Sequence, residues 1–319
     1  MSDTASAGKA PAKKAVVFAY SSIGHECLAA LLESGIDIVS VFTHEDDPGE
    51  ERWFSSVRNL AERHRLPVRT PQKLRQDEKD AIRAMEPDLI FSFSYRTVIP
   101  ESILNLAPLG AFNIHGALLP RYRGRACVNW AVLNGETRTG VTLHHMVARV
   151  DEGRIVDQET VDIESTDTAH DVFKKMIPAA RAMLRRSLPS ILAGTAYGRE
   201  QDSSRATYFG RRRPEDGNIV WSQSAENIYN LVRALTHPFP GAFSYLGEKK
   251  LYIWESASCS GKPCETPGLV LSSSPLKIAA GKGVLIVKRA QWSDGEEQEG
   301  AELGLSTGRV LSEIPFCDG

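Results

Sequence analysis

Residues 111–115 read Ala111-Phe112-Asn113-Ile114-His115, and the chain runs on through Gly116-Ala117-Leu118-Leu119-Pro120-Arg121-Tyr122-Arg123-Gly124-Arg125. In the first five residues the apolar Phe112 and Ile114 alternate with Asn113 and His115. That is the period of a β-strand, and it puts the amide and the imidazole on one face. Gly116 lets the backbone leave the strand, and Leu118-Leu119-Pro120 followed by Tyr122-Arg123-Gly124 reads as an ordered loop able to wall a pocket. The stretch closes further on at Met146-Val147-Ala148-Arg149-Val150-Asp151-Glu152-Gly153.

Asn113, His115 and Asp151 have distinct uses. An imidazole takes and returns a proton near neutral pH, a nearby carboxylate stabilises its charged form, and an Asn amide donates to a developing oxyanion. Together they suit transfer of an acyl group to an amine. Each also has a plainer use, His115 as a satisfied core histidine and Asp151 as a turn residue before Gly153. Spacing alone does not bring Asp151 to His115.

Outward from this stretch, the order of apolar runs and helical patterns predicts an α/β fold. A strand over 14–19, a helix around Cys27-Leu28 and Leu31-Leu32 and a strand over 38–42 make a βαβ opening, which implies a parallel sheet with a right-handed crossover. Ser22-Ile23-Gly24 is not a GxGxxG fingerprint, so a nicotinamide cofactor has little support. Further expectations are helices over 51–64, 77–85 and 125–133 and strands over 67–68, 88–93, 141–147 and 154–163. A helix over 167–192 has an apolar face of Val172, Met176, Ala180, Met183, Leu184, Leu188 and Ile191, with Pro178 expected to bend or interrupt it. Residues 195–217 turn polar and basic, including Arg211-Arg212-Arg213-Pro214, and read as an interdomain linker. A helix over 225–235 and strands over 242–245, 250–254, 268–271, 276–279 and 284–291 then suit a small β-barrel. The expected organisation is a disordered tail over 1–14, a catalytic domain over 15–194, the linker, and a C-terminal β domain over 218–319.

Composition narrows the classes. The 319 residues are 42% hydrophobic and 24% charged, an ordinary globular balance with length for about two domains. A formal net charge of -2 gives no overall polyanion signal and argues against a large tRNA surface. The five cysteines (Cys27, Cys127, Cys259, Cys264, Cys317) form no paired CxxC pattern, which fits a reduced cytoplasm. Cys259 and Cys264 stand apart from other ligand types, so a zinc site is not expected. Residues 1–14 lack an apolar core, so no signal peptide is expected, and no later stretch reads as a membrane span.

Asn113-x-His115, the Leu118-Leu119-Pro120-x-Tyr122-Arg123-Gly124 loop and the distant Asp151 resemble the signature of enzymes that use 10-formyltetrahydrofolate. Val16-Val17-Phe18-Ala19-Tyr20, 42–50, Phe91-Ser92-Phe93-Ser94-Tyr95-Arg96, Asn134-Gly135-Glu136-Thr137 and 238–245 extend the resemblance over nearly the whole chain after the first dozen residues. It is nearest to the UDP-4-amino-4-deoxy-L-arabinose formyltransferases of the ArnA type, and methionyl-tRNA formyltransferases are more distant kin. The resemblance implies a Rossmann-like, mostly parallel sheet followed by a smaller OB-like barrel. It implies 10-formyltetrahydrofolate as co-substrate, no metal, and a UDP-amino sugar as acceptor, with no membrane span and no nucleic acid beyond the nucleotide sugar. Asn113, His115 and Asp151 would be catalytic. Thr97, Val98, Ile99, Arg125, Val147, Ala148, Arg149, Val150 and Asp151 would meet the folate. Tyr122, Arg211 and Arg212 are candidates for the acceptor.

The tRNA-type enzymes usually carry a tryptophan where this loop has Tyr122 and a Lys-rich segment after the catalytic domain. Here that segment is Thr207-Tyr208-Phe209-Gly210-Arg211-Arg212, similar to the sugar-nucleotide type. The bifunctional relatives continue into a Rossmann decarboxylase that uses a nicotinamide cofactor, whereas this sequence stops at Gly319, so a stand-alone transferase serving lipid A modification is expected. A methionyl-tRNA formyltransferase, an enzyme for another amino-sugar nucleotide and a non-catalytic folate-binding module remain as alternatives.

Overall fold

Short apolar runs become the strands of a central sheet in a computed structural model that describes residues 12–45 and 53–315. The tail up to residue 11, the Asp46-Asp47-Pro48-Gly49-Glu50 motif and Cys317 lie outside the described residues. The first half of the chain runs β1 (Lys14–Ala19), α1 (Ser21–Glu33), β2 (Asp37–Phe42), α2 (Val57–Arg63), β3 (Val68–Arg69), α3 (Gln76–Met85), β4 (Leu89–Phe93), α4 (Glu101–Leu104) and β5 (Ala111–His115). It continues through β6 (Arg123–Gly124), α5 (Cys127–Leu133), β7 (Arg138–His145), β8 (Ile155–Asp162) and α6 (Ala169–Leu192).

The sheet order is β3-β2-β1-β4-β5-β7-β8. β3 to β5 pair in parallel and β7 joins β5 antiparallel. The α/β architecture with a mostly parallel sheet is therefore as the apolar runs implied, because buried parallel strands read as continuous hydrophobic stretches. Ala111, Asn113 and His115 share one face of β5, the face over which Val16, Phe18, Phe42, Ile90, Ile99 and Ile103 build a core cluster that also includes Ala111.

Several boundaries differ for local reasons. The helix expected over 51–64 starts at Val57, where the Ser56 hydroxyl caps the Asn59 amide. The helix expected from residue 125 starts at Cys127, because Ala126 holds a left-handed backbone with φ 52°. α6 runs unbroken through Pro178 and Pro189, so the expected interruption does not occur. Its buried Val172, Met176, Ala180, Met183, Leu184, Leu188 and Ile191 supply the packing that outweighs the lost hydrogen bonds. Residues 195–217 are not bare chain. Arg199 and Ile155 exchange two backbone bonds of 2.8 Å, and β9 (Tyr208–Phe209) pairs with β6.

The C-terminal part comprises α7 (Ala225–Leu235), β10 (Ala242–Leu246), β11 (Lys249–Pro263), β12 (Val270–Ser273), β13 (Leu276–Ala279), β14 (Lys282–Trp292) and β15 (Glu297–Glu299). The antiparallel order is β10-β11-β14-β13-β12, with β15 on β14. Residues 308–312 bond both ends of that path, Ser312 to Tyr245 and Arg309 to Val270, and so close the sheet on itself. α7 packs Ile228 and Val232 into the core of this barrel-like domain, with Leu251, Ile253, Leu285 and Val287.

By contacts the chain divides into two compact units. One draws on Met1–Pro120, Gly140–Glu159 and Met176–Ala206, the other on Arg121–Thr139, Thr160–Lys175 and Thr207–Gly319.

Candidate active site

In the first unit, β5 and β7 hold four polar side chains that the alternation at 111–115 only half announces. The antiparallel register sets Asn113 opposite His144 and His115 opposite Thr142. The Asn113 Nδ2 lies 3.0 Å from His144 Nε2. Asp151 reaches back over the same face, its Oδ2 3.5 Å from His115 Nδ1 and its Oδ1 3.6 Å from His144 Nε2. His115, His144 and Asp151 are all buried. The expected trio is thus assembled, with a second imidazole on the other side of the carboxylate.

Asp151 occupies a turn of special geometry. Its φ is 60°, a left-handed conformation that Asp tolerates better than most residues. Gly153 lies so close to β7 that a Cβ there would sit 1.8 Å from the His145 carbonyl oxygen. The Gln201 side chain clamps the turn, donating to the carbonyls of Asp151 and Gly153 at 2.7 Å each. Sequence reasoning missed His144 and Gln201. A polar residue inside the apolar run Val141-Thr142-Leu143-His144 was the available signal for the first, but its partner depends on strand register. Gln201, fifty residues from Asp151, gave none.

Apart from Arg125, the residues expected at the folate lie on two loops. Val98, Val147 and Val150 are exposed apolar side chains, at 59%, 47% and 50% accessibility, and Ile99 is buried in the core cluster that Met146 also borders. Thr97 is half-buried, while Ala148 and Arg149 are exposed, Arg149 reaching Glu152 at 3.7 Å. The 94–99 loop is pinned at its start by His44, whose Nε2 accepts the Arg96 backbone N–H at 3.0 Å. Burial, and then the Arg96 charge, lower the His44 pKa to about 4, so the ring is neutral and free to accept. His44 also stacks on Tyr95 at 4.3 Å between ring centres.

The remaining candidates belong to the second unit. Tyr122 is buried, stacked on Phe209 at 4.8 Å, with its hydroxyl donating to Glu136 at 2.7 Å. Burial pushes its pKa up to about 12. Phe209 meets Trp130 at 5.0 Å, and the Arg212 guanidinium lies 4.6 Å over the Trp130 ring. Arg212 donates to the Asp216 carbonyl at 2.7 Å, its Nε is buried without a partner, and burial lowers its pKa. Arg211 is exposed. Arg125 is exposed as well, its backbone N–H held by the Phe209 carbonyl at 2.9 Å.

Among the described residues no group of three or more His, Cys, Asp or Glu side chains is placed to hold a metal ion, and no helix is long and apolar enough to cross a membrane.

Comparison with known proteins places the chain by family and fold. The sequence profile described as "Formyl transferase" matches residues 13–188, and that described as "Formyl transferase, C-terminal domain" matches 212–306. Among solved structures, an N-formyltransferase from Helicobacter canadensis in complex with folinic acid and dTDP-3-aminofucose superimposes with a TM-score of 0.68. It shares 19% identity over 87% of this chain and 99% of that one. WlaRD, a sugar 3N-formyl transferase crystallised with dTDP and 5-N-formyl-THF, gives 0.64 at 19% identity, covering 90% and 100%. HypX from Aquifex aeolicus in complex with tetrahydrofolic acid gives 0.61 at 16% identity, covering 92% of this chain and 47% of that one.

Proposed function

Because the chain belongs to the formyl transferase family, we propose that it transfers the formyl group of 10-formyltetrahydrofolate to the 4-amine of UDP-4-amino-4-deoxy-L-arabinose. The observation that carries the reading is the gathering of Asn113, His115 and Asp151 on one face, with 3.5 Å between the imidazole and the carboxylate. Catalysis would belong to 15–194, joined through 195–217 to an OB-like domain over 218–319, in a cytoplasmic enzyme of the ArnA type serving lipid A modification and polymyxin resistance.

The donor supplies an activated formyl carbon. The acceptor amine attacks that carbon, the new C–N bond forms as the bond to N10 breaks, and one amine proton ends on N10. Asn113 donates to the oxygen on which negative charge develops. His115 carries the proton between the two nitrogens, and Asp151 orients its ring. The exposed Val98, Val147 and Val150 suit an aromatic pterin, with backbone groups of 97–99 and 147–151 reading its edge. Arg125 belongs to the same donor reading. Arg211 and Arg212 are assigned to the diphosphate of the sugar nucleotide, since guanidinium groups bind phosphate oxygens in pairs. Tyr122, whose hydroxyl is engaged with Glu136, would shape that surface through its packing.

The test gives the pure protein 10-formyltetrahydrofolate with UDP-4-amino-4-deoxy-L-arabinose, another amino-sugar nucleotide or methionyl-tRNA, and follows tetrahydrofolate release. Release with the arabinose nucleotide supports the proposal. Release only with another acceptor overturns the acceptor and leaves the chemistry standing.

A further inference from the structure

His144 is 2% exposed, on the strand directly opposite Asn113, and nothing in the reaction as written requires it. Its hydrogen bond to a carbonyl fixes its tautomer. The Nδ1 lies 2.8 Å from the His145 carbonyl oxygen, and a carbonyl only accepts, so Nδ1 carries the proton. In the neutral ring Nε2 then has a lone pair, and the Asn113 Nδ2 donates to it across 3.0 Å. A doubly protonated ring would set an N–H against the Asn113 NH2, donor against donor.

The consequence reaches the reaction. A carboxamide has two N–H donors on one side and an oxygen on the other, and a half-turn exchanges them. With one N–H held by His144, the second N–H of Asn113 has no protein partner among the described residues. The charged and titratable groups near His144 are Asp151, whose Oδ1 is 3.6 Å from Nε2, His115 across the same carboxylate, and His145, which is next in the strand and turns to the opposite face against Phe112.

We propose that His144 is a positioning residue for transfer: it holds the Asn113 carboxamide in the orientation that leaves an N–H for the formyl oxygen. The proposal rests on the formyl-transfer reading above. It separates Asn113 and His144, a two-residue unit, from the His115–Asp151 pair that handles the proton.

The test compares His144→Phe, which keeps ring volume and removes both nitrogens, with His144→Gln, whose side-chain oxygen can replace the Nε2 acceptor. For His144→Phe the expected result is a loss in kcat on the order of a hundredfold, with KM for both substrates unchanged, since misplacing a reacting group costs about that much. His144→Gln recovers most of the loss, and in an Asn113→Ala background His144→Phe costs nothing more. Losses that multiply in the double variant, or that fall on KM, overturn the proposal. A second readout needs no acceptor. In 15N NMR spectra the Asn113 side-chain signals, assigned by their disappearance in Asn113→Asp, show two well-separated protons in the wild type that converge in His144→Phe. Unchanged separation overturns the proposal too. If the wild type transfers to no amine, the formyl-transfer reading fails, and the NMR comparison alone decides whether His144 orients Asn113.

Discussion

At Asn113 the proposed reaction divides one amide's donors between a protein partner 3.0 Å away and the charge that would develop during transfer. Asn113→Ala removes the second use, and because a lost oxyanion donor costs about a hundredfold or more in rate, kcat should fall by that order with the fold intact. Steady-state kinetics beside a thermal melt checks this, and a variant with unchanged kcat would remove Asn113 from the reaction. Asn113 and His115 could be read from sequence because alternation within five residues is local information. His144 could not, because its partner is set by the register between β5 and β7, some thirty residues apart. Asp151 lies between these cases, recognisable as a motif residue but tied to His115 only by a turn with φ 60°.

Elements carry the loops, and the anchors between them make predictions of their own. The His44 ring joins the end of β2 to the 94–99 loop, and its pKa is lowered from 6.5 to about 4. The sign follows from the unfolded chain, which takes up the proton first as pH falls. The His44 contribution to stability is complete above about pH 6.5 and is lost progressively towards pH 4. His145 and His170, also lowered by burial, act in the same direction. Melting temperature should therefore drop as pH falls from 7 to 4, and His44→Gln, which still accepts from Arg96, should flatten that slope. An equal slope in the variant would show that His44 contributes nothing to the pH dependence of stability.

The β6–β9 pair offers a second anchor. Gly124 has φ 100°, and a Cβ there would lie 2.2 Å from the Phe209 carbonyl oxygen, so Gly124→Ala should separate the strands and loosen the Tyr122–Phe209–Trp130 stack. Aromatic pairs contribute about 1 kcal/mol each beyond buried area, so a loss of roughly 2 kcal/mol in denaturant titrations is expected. Helices such as α7 were readable because one periodic face carries the information. Of the fifteen-residue β11 only 250–254 was readable, because bulges beyond Ile253 shift the alternation that marks a strand, and the unbroken α6 shows burial outweighing an intrinsic breaker.

The whole molecule bears on the acceptor. A net charge of -2 suits a compact diphosphate better than a polyanion tens of ångströms long. For a sugar nucleotide held by Arg211 and Arg212, raising salt should weaken KM gradually, whereas neutralising six or more phosphates would cost roughly a thousandfold between 50 and 200 mM salt. A steep dependence would point to tRNA. The α/β class was readable at this scale from the order of apolar runs. The assignment of 121–139 and 160–175 to the second unit was not, since which segments share contacts depends on packing far apart in sequence.

The most direct measurement is tetrahydrofolate release from 10-formyltetrahydrofolate and UDP-4-amino-4-deoxy-L-arabinose by the wild type, His115→Ala and Asp151→Asn, with binding of the donor measured in parallel. The proton-carrying role proposed for the His115–Asp151 pair predicts release by the wild type and, in both variants, donor binding retained with kcat reduced on the order of a hundredfold or more. Turnover in His115→Ala within a few-fold of the wild type would contradict it.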